Sequence, residues 1–309
     1  MARGEGRKPL AGKFRLPDSP AEVPAFRRKG LRVQLSNASL LLAAALALAG
    51  PGVARADGKL EARYVATLAG LPIGSGTWIV DVGEGRYLAA ASGSTTGLLR
   101  VFTGGQGTSA ARGTLLGGHP VLSTYSSTIS TNDKSTAVRL TIDAGNVKDS
   151  KLEPPLDHDP ERIPLTSAHE KGVIDPMTAS LLRTPGNGNP VSSEACHRTL
   201  SIFDGRLRYD VKLEFKRIVP VKSQRGYEGP VVVCAMYFTP IAGFIPSRTA
   251  IKYLAKLRDM EIWLAPIAGR RVLVPFRVEV PTPIGKAVLT ATQFVSVASP
   301  ARAAVSKPQ

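Results

Sequence analysis

Between residues 206 and 216 the chain reads Arg-Leu-Arg-Tyr-Asp-Val-Lys-Leu-Glu-Phe-Lys, charged and apolar in strict alternation over eleven positions. Period two is the repeat of an extended strand. Leu207, Tyr209, Val211, Leu213 and Phe215 therefore share one face, and Arg206, Arg208, Asp210, Lys212, Glu214 and Lys216 the other. A strand with one dry and one wet face does not suit a parallel sheet, whose strands are covered by helices on both sides. It implies an antiparallel sheet open to water on one face.

Turn chemistry extends the pattern. Asp204-Gly205 lies between Arg198-Thr199-Leu200-Ser201-Ile202-Phe203 and this strand, the sequence of a tight hairpin with both central residues at positive φ. Further strands are expected at 60–68, 76–82, 86–94, 120–130, 135–142, 230–238, 261–264, 270–280 and 286–297. Gly83-Glu84-Gly85, Asp143-Ala144-Gly145-Asn146 and Ala268-Gly269 punctuate them. Gly104-Gly105-Gln106-Gly107 and Gly117-Gly118 read as loop glycines. Two helices interrupt the strands: one over 176–182, with Asp175 as N-cap and Pro176 in its first turn, and one over 246–258. Residues 153–171, rich in Pro and charge, read as a surface excursion. The expected fold is mainly β: a single large antiparallel meander sheet, curved or barrel-like, with two short helices.

The N-terminal region has a different grammar. Arg27-Arg28-Lys29-Gly30-Leu31-Arg32 precedes the apolar run of residues 40–49 and then Ala54-Arg55-Ala56. A basic segment, a short apolar segment and small residues at −3 and −1 make a cleavable export signal, with cleavage near Ala56 and a periplasmic product. The apolar run is too short for the ~20 residues of a membrane-spanning helix, and no later stretch is longer. Residues 1–26 carry four prolines and no apolar period, which reads as a disordered extension or a start site placed too far upstream. The organisation expected is thus an extension at 1–26, a signal at 27–56, one β-rich domain at 57–300 and a disordered tail at 301–309.

Residues 1–56 hold ten Lys or Arg and three Asp or Glu, so +7 of the formal +16 belongs to the leader and +9 remains on the exported part. In an envelope compartment the anionic partners for such a surface are lipid headgroups and acidic polysaccharide. No zinc finger, RNA-recognition signature or basic region with heptads is present, so no nucleic-acid role is expected. Arg248, Lys252 and Lys256 recur every four residues on the second helix, opposite Ile251, Leu254 and Leu257. That makes an amphipathic helix able to meet an anionic surface, although a helix packed on a sheet with a solvated basic face has the same sequence.

Cys196 and Cys234 are the only cysteines. In an oxidising compartment such a pair is expected to form a disulfide. In a strict meander, however, the strands carrying them are second neighbours, ~10 Å apart, so the chain at Cys196 must bend across the strand between. Asp157-His158-Asp159 with His169-Glu170 does not have the spacing of a metal site. There is no Gly-x-Ser-x-Gly elbow, His-Glu-x-x-His, dinucleotide fingerprint or phosphate-binding loop. No catalytic residue, metal or cofactor is assigned, and an enzyme is the less favoured reading.

Taken together, Tyr64 with Gly70-Leu71-Pro72-Ile73-Gly74, Gly118-His119-Pro120-Val121 leading to Tyr125, Asp175-Pro176-Met177-Thr178-Ala179, Phe203-Asp204-Gly205-Arg206, Tyr227-Glu228-Gly229-Pro230 through Cys234, and Pro240-Ile241-Ala242-Gly243 resemble an exported proteobacterial family. So do 260–266 and Val280-Pro281-Thr282-Pro283-Ile284-Gly285. The family is domain of unknown function 3108, and the chain is most similar to its alphaproteobacterial members. The resemblance implies a periplasmic, β-rich protein with no established activity, and a cysteine pair.

The favoured functional expectation is a non-enzymatic envelope protein whose curved sheet binds or shields an apolar or lipid-like ligand. Tyr209, Val211, Leu213 and Phe215, with Trp78 and Trp263, are the candidate lining. The alternatives are an envelope hydrolase or polysaccharide-modifying enzyme, and a protein partner in an envelope assembly. A greasy cavity of several hundred Å³ separates the first from the second, for which carboxylates would cluster in a polar cleft. An exposed apolar patch would mark the third.

Overall fold

The computed structural model describes residues 57–96, 104–117 and 119–299. The expected export signal, the extension before it and the tail lie outside the described residues. The strands are β1 (Asp57–Leu68), β2 (Leu71–Val82), β3 (Arg86–Thr95), β4 (Gln106–Leu116), β5 (His119–Ser130), β6 (Ser135–Asp143) and β7 (Asn146–Glu153) in a first arm. A second arm holds β8 (Leu182–Arg183), β9 (Arg198–Phe203), β10 (Arg208–Lys222), β11 (Arg225–Gly226), β12 (Glu228–Ala242), β13 (Met260–Pro266), β14 (Val272–Thr282) and β15 (Gly285–Ser299). The helices are α1 (Pro176–Ala179) and α2 (Thr249–Lys256).

All the strands join one sheet in the order β7-β6-β5-β4-β3-β2-β1-β15-β14-β13-β12-β10-β9, with β8 on β14 and β11 on β15. It is a meander of antiparallel neighbours whose two arms meet where β1 pairs with β15, the short parallel contact of β11 excepted. Each strand expected from the alternation is present. The sequence reading missed β4 and β7, besides the two-residue strands β8 and β11. The first, Gln-Gly-Thr-Ser-Ala-Ala-Arg-Gly-Thr-Leu-Leu, has little β propensity and is held by hydrogen-bonded neighbours on both sides. The second is polar and pairs only with β6.

The hairpin before β10 differs from expectation. Asp204 N donates to Leu207 O at 3.2 Å, so the central residues are Gly205 and Arg206, and of Asp204, Gly205 and Arg206 only Gly205 has positive φ, at +87°. The Asp204 carboxylate instead caps the turn, accepting from the amides of Arg206 and Leu207 at 2.8 Å each. A Cβ on Gly205 would sit 2.6 Å from Val138, so this turn presses on β6 from across the molecule.

The outermost strands, β7 and β9, are tied together through the segment read as a surface excursion. Glu170 O accepts from Val147 N, Val173 N donates to Gly145 O, Ile174 N donates to Ser201 O, and Ile174 O accepts from Phe203 N, all at 2.9–3.0 Å. Upstream, Ile163 exchanges backbone bonds with Gly243 and Phe244. The segment forms no regular strand, yet several of its backbone groups are engaged, and with residues 172–174 after it the outer strands are bridged into a barrel-like ring.

Strands β12 to β14 depart from the one-sided pattern. Val231, Val232, Val233 and Cys234 are all fully buried. Val231, Ala265, Val274 and Phe276 belong to the main core, whereas Val232, Cys234, Leu264 and Leu273 pack with Leu182, Val191, Ala195 and Cys196 in a second cluster. This antiparallel wall is covered on both faces, by the 182–196 segment on one and by Tyr227, in ring contact with Phe276 and Phe294, on the other. The 3₁₀ turn Ser193–Cys196 lies across β10 and β12, which answers the geometric objection to the disulfide: Cys196 and Cys234 are bonded with a Cα separation of 5.5 Å.

Candidate functional site

The cross-strand register explains where the barrel keeps space. On the inward face Ala62, Trp78, Ala91, Ser109 and Ser127 stand side by side on successive strands. The next inward row is Tyr64, Gly76, Gly93 and Gly107, and beyond it Ala66 faces Gly74. Rows with buried side chains fill the rest of this wall, for example Leu60, Val80 and Ala89. Of these glycines, Gly76 and Gly93 remove side chains that would otherwise fill the barrel beside Tyr64. The result is a pocket of about 580 Å³ lined mainly by apolar groups of Tyr64, Trp78, Tyr125, Met177, Pro275 and Leu289. A volume of this size with a mainly apolar lining is typical of small-molecule sites.

Its aromatic lining is fixed by the surrounding structure. The Tyr64 hydroxyl donates to Pro275 O at 2.7 Å, spanning β15, and burial pushes its phenol pKa well up. Trp78 is 6 % exposed, and its indole N–H has no hydrogen-bond partner among the described residues. Burial likewise raises Tyr125. Leu71 and Ile284, both strongly exposed, sit at the tips of the β1–β2 and β14–β15 hairpins, which Ala69 N joins by donating to Lys286 O at 3.0 Å.

The floor is α1, held inside the barrel by a polar network. Asp175 is fully buried and caps the helix as expected: Oδ1 accepts from Thr178 N at 2.8 Å. Its Oδ2 accepts from Thr178 Oγ1 at 2.6 Å and from Ser123 Oγ at 3.1 Å. Because the Thr178 hydroxyl proton goes to Asp175, the Tyr87 hydroxyl, 2.6 Å away, must donate to Thr178. Burial pushes the Tyr87 phenol up to about 12. The network thus locks the helix against β3 and β5 and leaves its carboxylate occupied by three donors. Pro176 lies in the first turn, but the helix ends at Ala179, shorter than expected.

Of the residues singled out as ligand lining, only Trp78 lies in this pocket. Tyr209 packs against the rings of Phe238 and Phe244 at 5.6 and 6.5 Å. Leu213 is buried with Val211 in the disulfide cluster, and Phe215 is 40 % exposed. Trp263 stands elsewhere, with the Arg217 and Arg277 guanidinium groups each 5.4 Å from its ring. Its indole nitrogen donates to Glu261, which also accepts from Lys216 and Arg217. Glu279, opposite Glu261 across β13 and β14, is bound by Arg277 and Lys286. Arg248 occupies the N-cap position of α2 without a side-chain cap bond, and Arg248, Lys252 and Lys256 are all exposed.

On the alternate face of the first arm Thr77, Ser92, Thr108 and Thr128 form a cross-strand row of hydroxyls beside a groove of about 790 Å³. Among the described residues no three His, Cys, Asp or Glu side chains are grouped to hold a metal ion, and no helix is long and apolar enough to cross a membrane. His169 Nδ1 accepts from Thr166 N, and Asp159 Oδ1 from Glu161 N, so both serve turns in the 154–175 segment.

The chain is similar to the crystal structure of a β-barrel-like protein of domain of unknown function 1849 from Brucella abortus, with 8% identity and a TM-score of 0.43 over 77% of this chain and 97% of that one. No functionally curated protein matches it. The DUF3108 profile, described as a protein of unknown function, matches residues 63–292. The chain belongs to the DUF3108 family.

Proposed function

We propose that this is an exported, non-enzymatic protein of the cell envelope that holds an apolar, lipid-like molecule inside its barrel, in the pocket beside Trp78. The observation that carries the reading is the pair Gly76 and Gly93 next to Tyr64, which lines a mainly apolar pocket of about 580 Å³ beside Trp78. An empty apolar cavity is costly, since its lining lacks dispersion partners, and a ligand restores them. The exposed Leu71 and Ile284 at neighbouring hairpin tips suit transfer from an apolar environment. The basic, apolar and small-residue pattern of 27–56, expected to be a cleavable export signal, is consistent with that compartment. Against an enzyme, the polar groups around α1 are bonded to one another, and no cluster of carboxylates lines the pocket.

The test uses the two tryptophans as reporters. In a Trp263→Phe variant, Trp78 is the only indole, and a brominated fatty acid entering the pocket quenches it. Ala91→Phe in the same background fills the space and should abolish quenching. Mass measurement under native and denaturing conditions should show a molecule released on unfolding. A protein isolated empty from its envelope fraction, together with unquenched Trp78, would overturn the reading.

A further inference from the structure

Helix α1 has a second pocket on its other side. Pro176, Met177 and Ser180 face the wide pocket, whereas Thr178, Ala179, Leu181 and Leu182 line a separate space of about 400 Å³. Its floor is apolar, with Tyr87, Leu115, Leu200 and Val272, and its remaining lining includes His119, Arg183 and Arg198. No Asp or Glu lines it.

The two arginines have no carboxylate partner among the described residues. Arg198 donates from Nη1 to Arg183 O at 2.9 Å and from Nη2 to Glu194 O at 3.3 Å, and its Nε is buried without a partner. Neither Arg198 nor Arg183 forms an ion pair among the described residues. Arg270 and Arg208, by contrast, are neutralised by Asp57 and Asp210, whereas Arg162 is held by a carbonyl oxygen as Arg198 is. Burial lowers the Arg198 pKa, the direction expected of a desolvated cation with nothing opposite it. The nearest acid along the chain, Glu194, faces His197 at 3.8 Å. The adjoining hollow adds Arg271, which donates to the carbonyls of Thr184, Gly188 and Pro185, and one acid, Glu84.

A cationic group on a greasy floor is complementary to an amphiphile with an anionic head. We propose that this pocket binds the anionic headgroup end of a membrane-derived acyl amphiphile, with Arg183, Arg198 and His119 around the head and the first part of the chain against Tyr87, Leu115, Leu182 and Val272. Arginine suits carboxylate and phosphate oxygens because its planar donors match them in geometry. The site is independent of the wide pocket, so each reading can fail without the other.

Calorimetric titration of the whole exported chain with dodecyl phosphate, dodecyltrimethylammonium and inorganic phosphate tests it. Dodecyl phosphate should bind at least tenfold more tightly than either of the other two. Arg183→Met and Arg198→Met should each weaken it about tenfold, and Ala91→Phe, which fills only the wide pocket, should leave it unchanged. Arg183→Met guards against misfolding, because that guanidinium makes no bond among the described residues, and circular dichroism checks both variants. Equal affinity for the cationic amphiphile, equal affinity for bare phosphate, or loss of all binding in Ala91→Phe with none in Arg183→Met would each overturn the proposal.

Discussion

The two arms of the sheet are built on opposite rules. In β12 to β14 consecutive residues are buried, as in Val231-Val232-Val233-Cys234 and Val272-Leu273-Val274, because both faces are covered. In β2 to β4 the inward positions alternate with hydroxyls, and near the rim they shrink to Gly76, Ala91, Gly93 and Gly107. One arm maximises burial and the other leaves space. Apolar burial contributes roughly 25 cal/mol per Å², so the C-terminal arm should carry most of the stability while the N-terminal arm holds the ligand space.

The strongest way to break that contrast is Phe294→Ala. Its ring is fully buried against Tyr227 and Phe276, and truncation should cost about 3–5 kcal/mol through lost contacts and a cavity. The urea midpoint should fall accordingly. Next is the disulfide. Replacing Cys196 and Cys234 by Ser reopens a 38-residue separation, and the chain-entropy relation gives about 4 kcal/mol. Adding reductant to the unaltered protein should reproduce the loss, and a stable reduced protein would move the credit to packing alone.

The charged network of the same arm gives a pH signature. Arg217, with Lys216 and Trp263, holds the Glu261 carboxyl down to about 2 against the opposing effect of its burial. A folded-state pKa below the unfolded value of about 4.3 stabilises the protein above that value. This contribution is fully present near neutrality and is lost as pH falls from about 5 toward 2. With Lys216 and Arg217 partly exposed, screening reduces it to on the order of 1–2 kcal/mol. Glu261→Gln should flatten the acid limb of a stability–pH curve by that amount, and an unchanged limb would place the acid sensitivity elsewhere.

Periodicity made the second arm legible. Tyr209, Val211, Leu213 and Phe215 do share a face of β10, which starts one residue after Leu207, but register shifts at Arg208–Tyr209 and at Phe215–Arg217 interrupt the run, and the 182–196 segment covers only Val211 and Leu213 while Phe215 stays exposed. The pocket was not legible, because its signal is an absence of side chains. Gly76, Gly93 and Gly107 lie in three separate strands and become a row only through register. Gly107 in particular looks like loop, since Gly104-Gly105-Gln106-Gly107 has no apolar period and the pairing of β4 to both neighbours overrides it. The Asp175 cap was visible from Asp-Pro, while its bonds to Ser123 and, through Thr178, to Tyr87 required the ring to close.

Ala91→Phe sharpens the contrast from the other side. In a filled wall an added ring costs 1–3 kcal/mol through overpacking. Here it enters vacant space beside Trp78, so stability should change by under about 1 kcal/mol while quenching of Trp78 by brominated fatty acid disappears. A loss of several kcal/mol would mean that the space closes in solution and that the first arm is packed like the second.

The smallest effect belongs to the helices, which repeat the contrast between the arms. Helix α1 is four residues long and survives because Asp175, Ser123, Thr178 and Tyr87 bond it into the interior. Helix α2 is eight residues long with no buried residue and no side-chain N-cap bond, so its own end effects matter. Lys256 lies in its last turn, where a positive charge interacts favourably with the helix dipole by about 0.3–1 kcal/mol at low salt. Lys256→Ala should lower the melting temperature by a degree or two in dilute buffer and by nothing measurable in 1 M salt, where the Debye length is about 3 Å. A salt-independent loss would instead mean that the aliphatic stem of Lys256 packs on the sheet, and that α2 is part of the wall it borders.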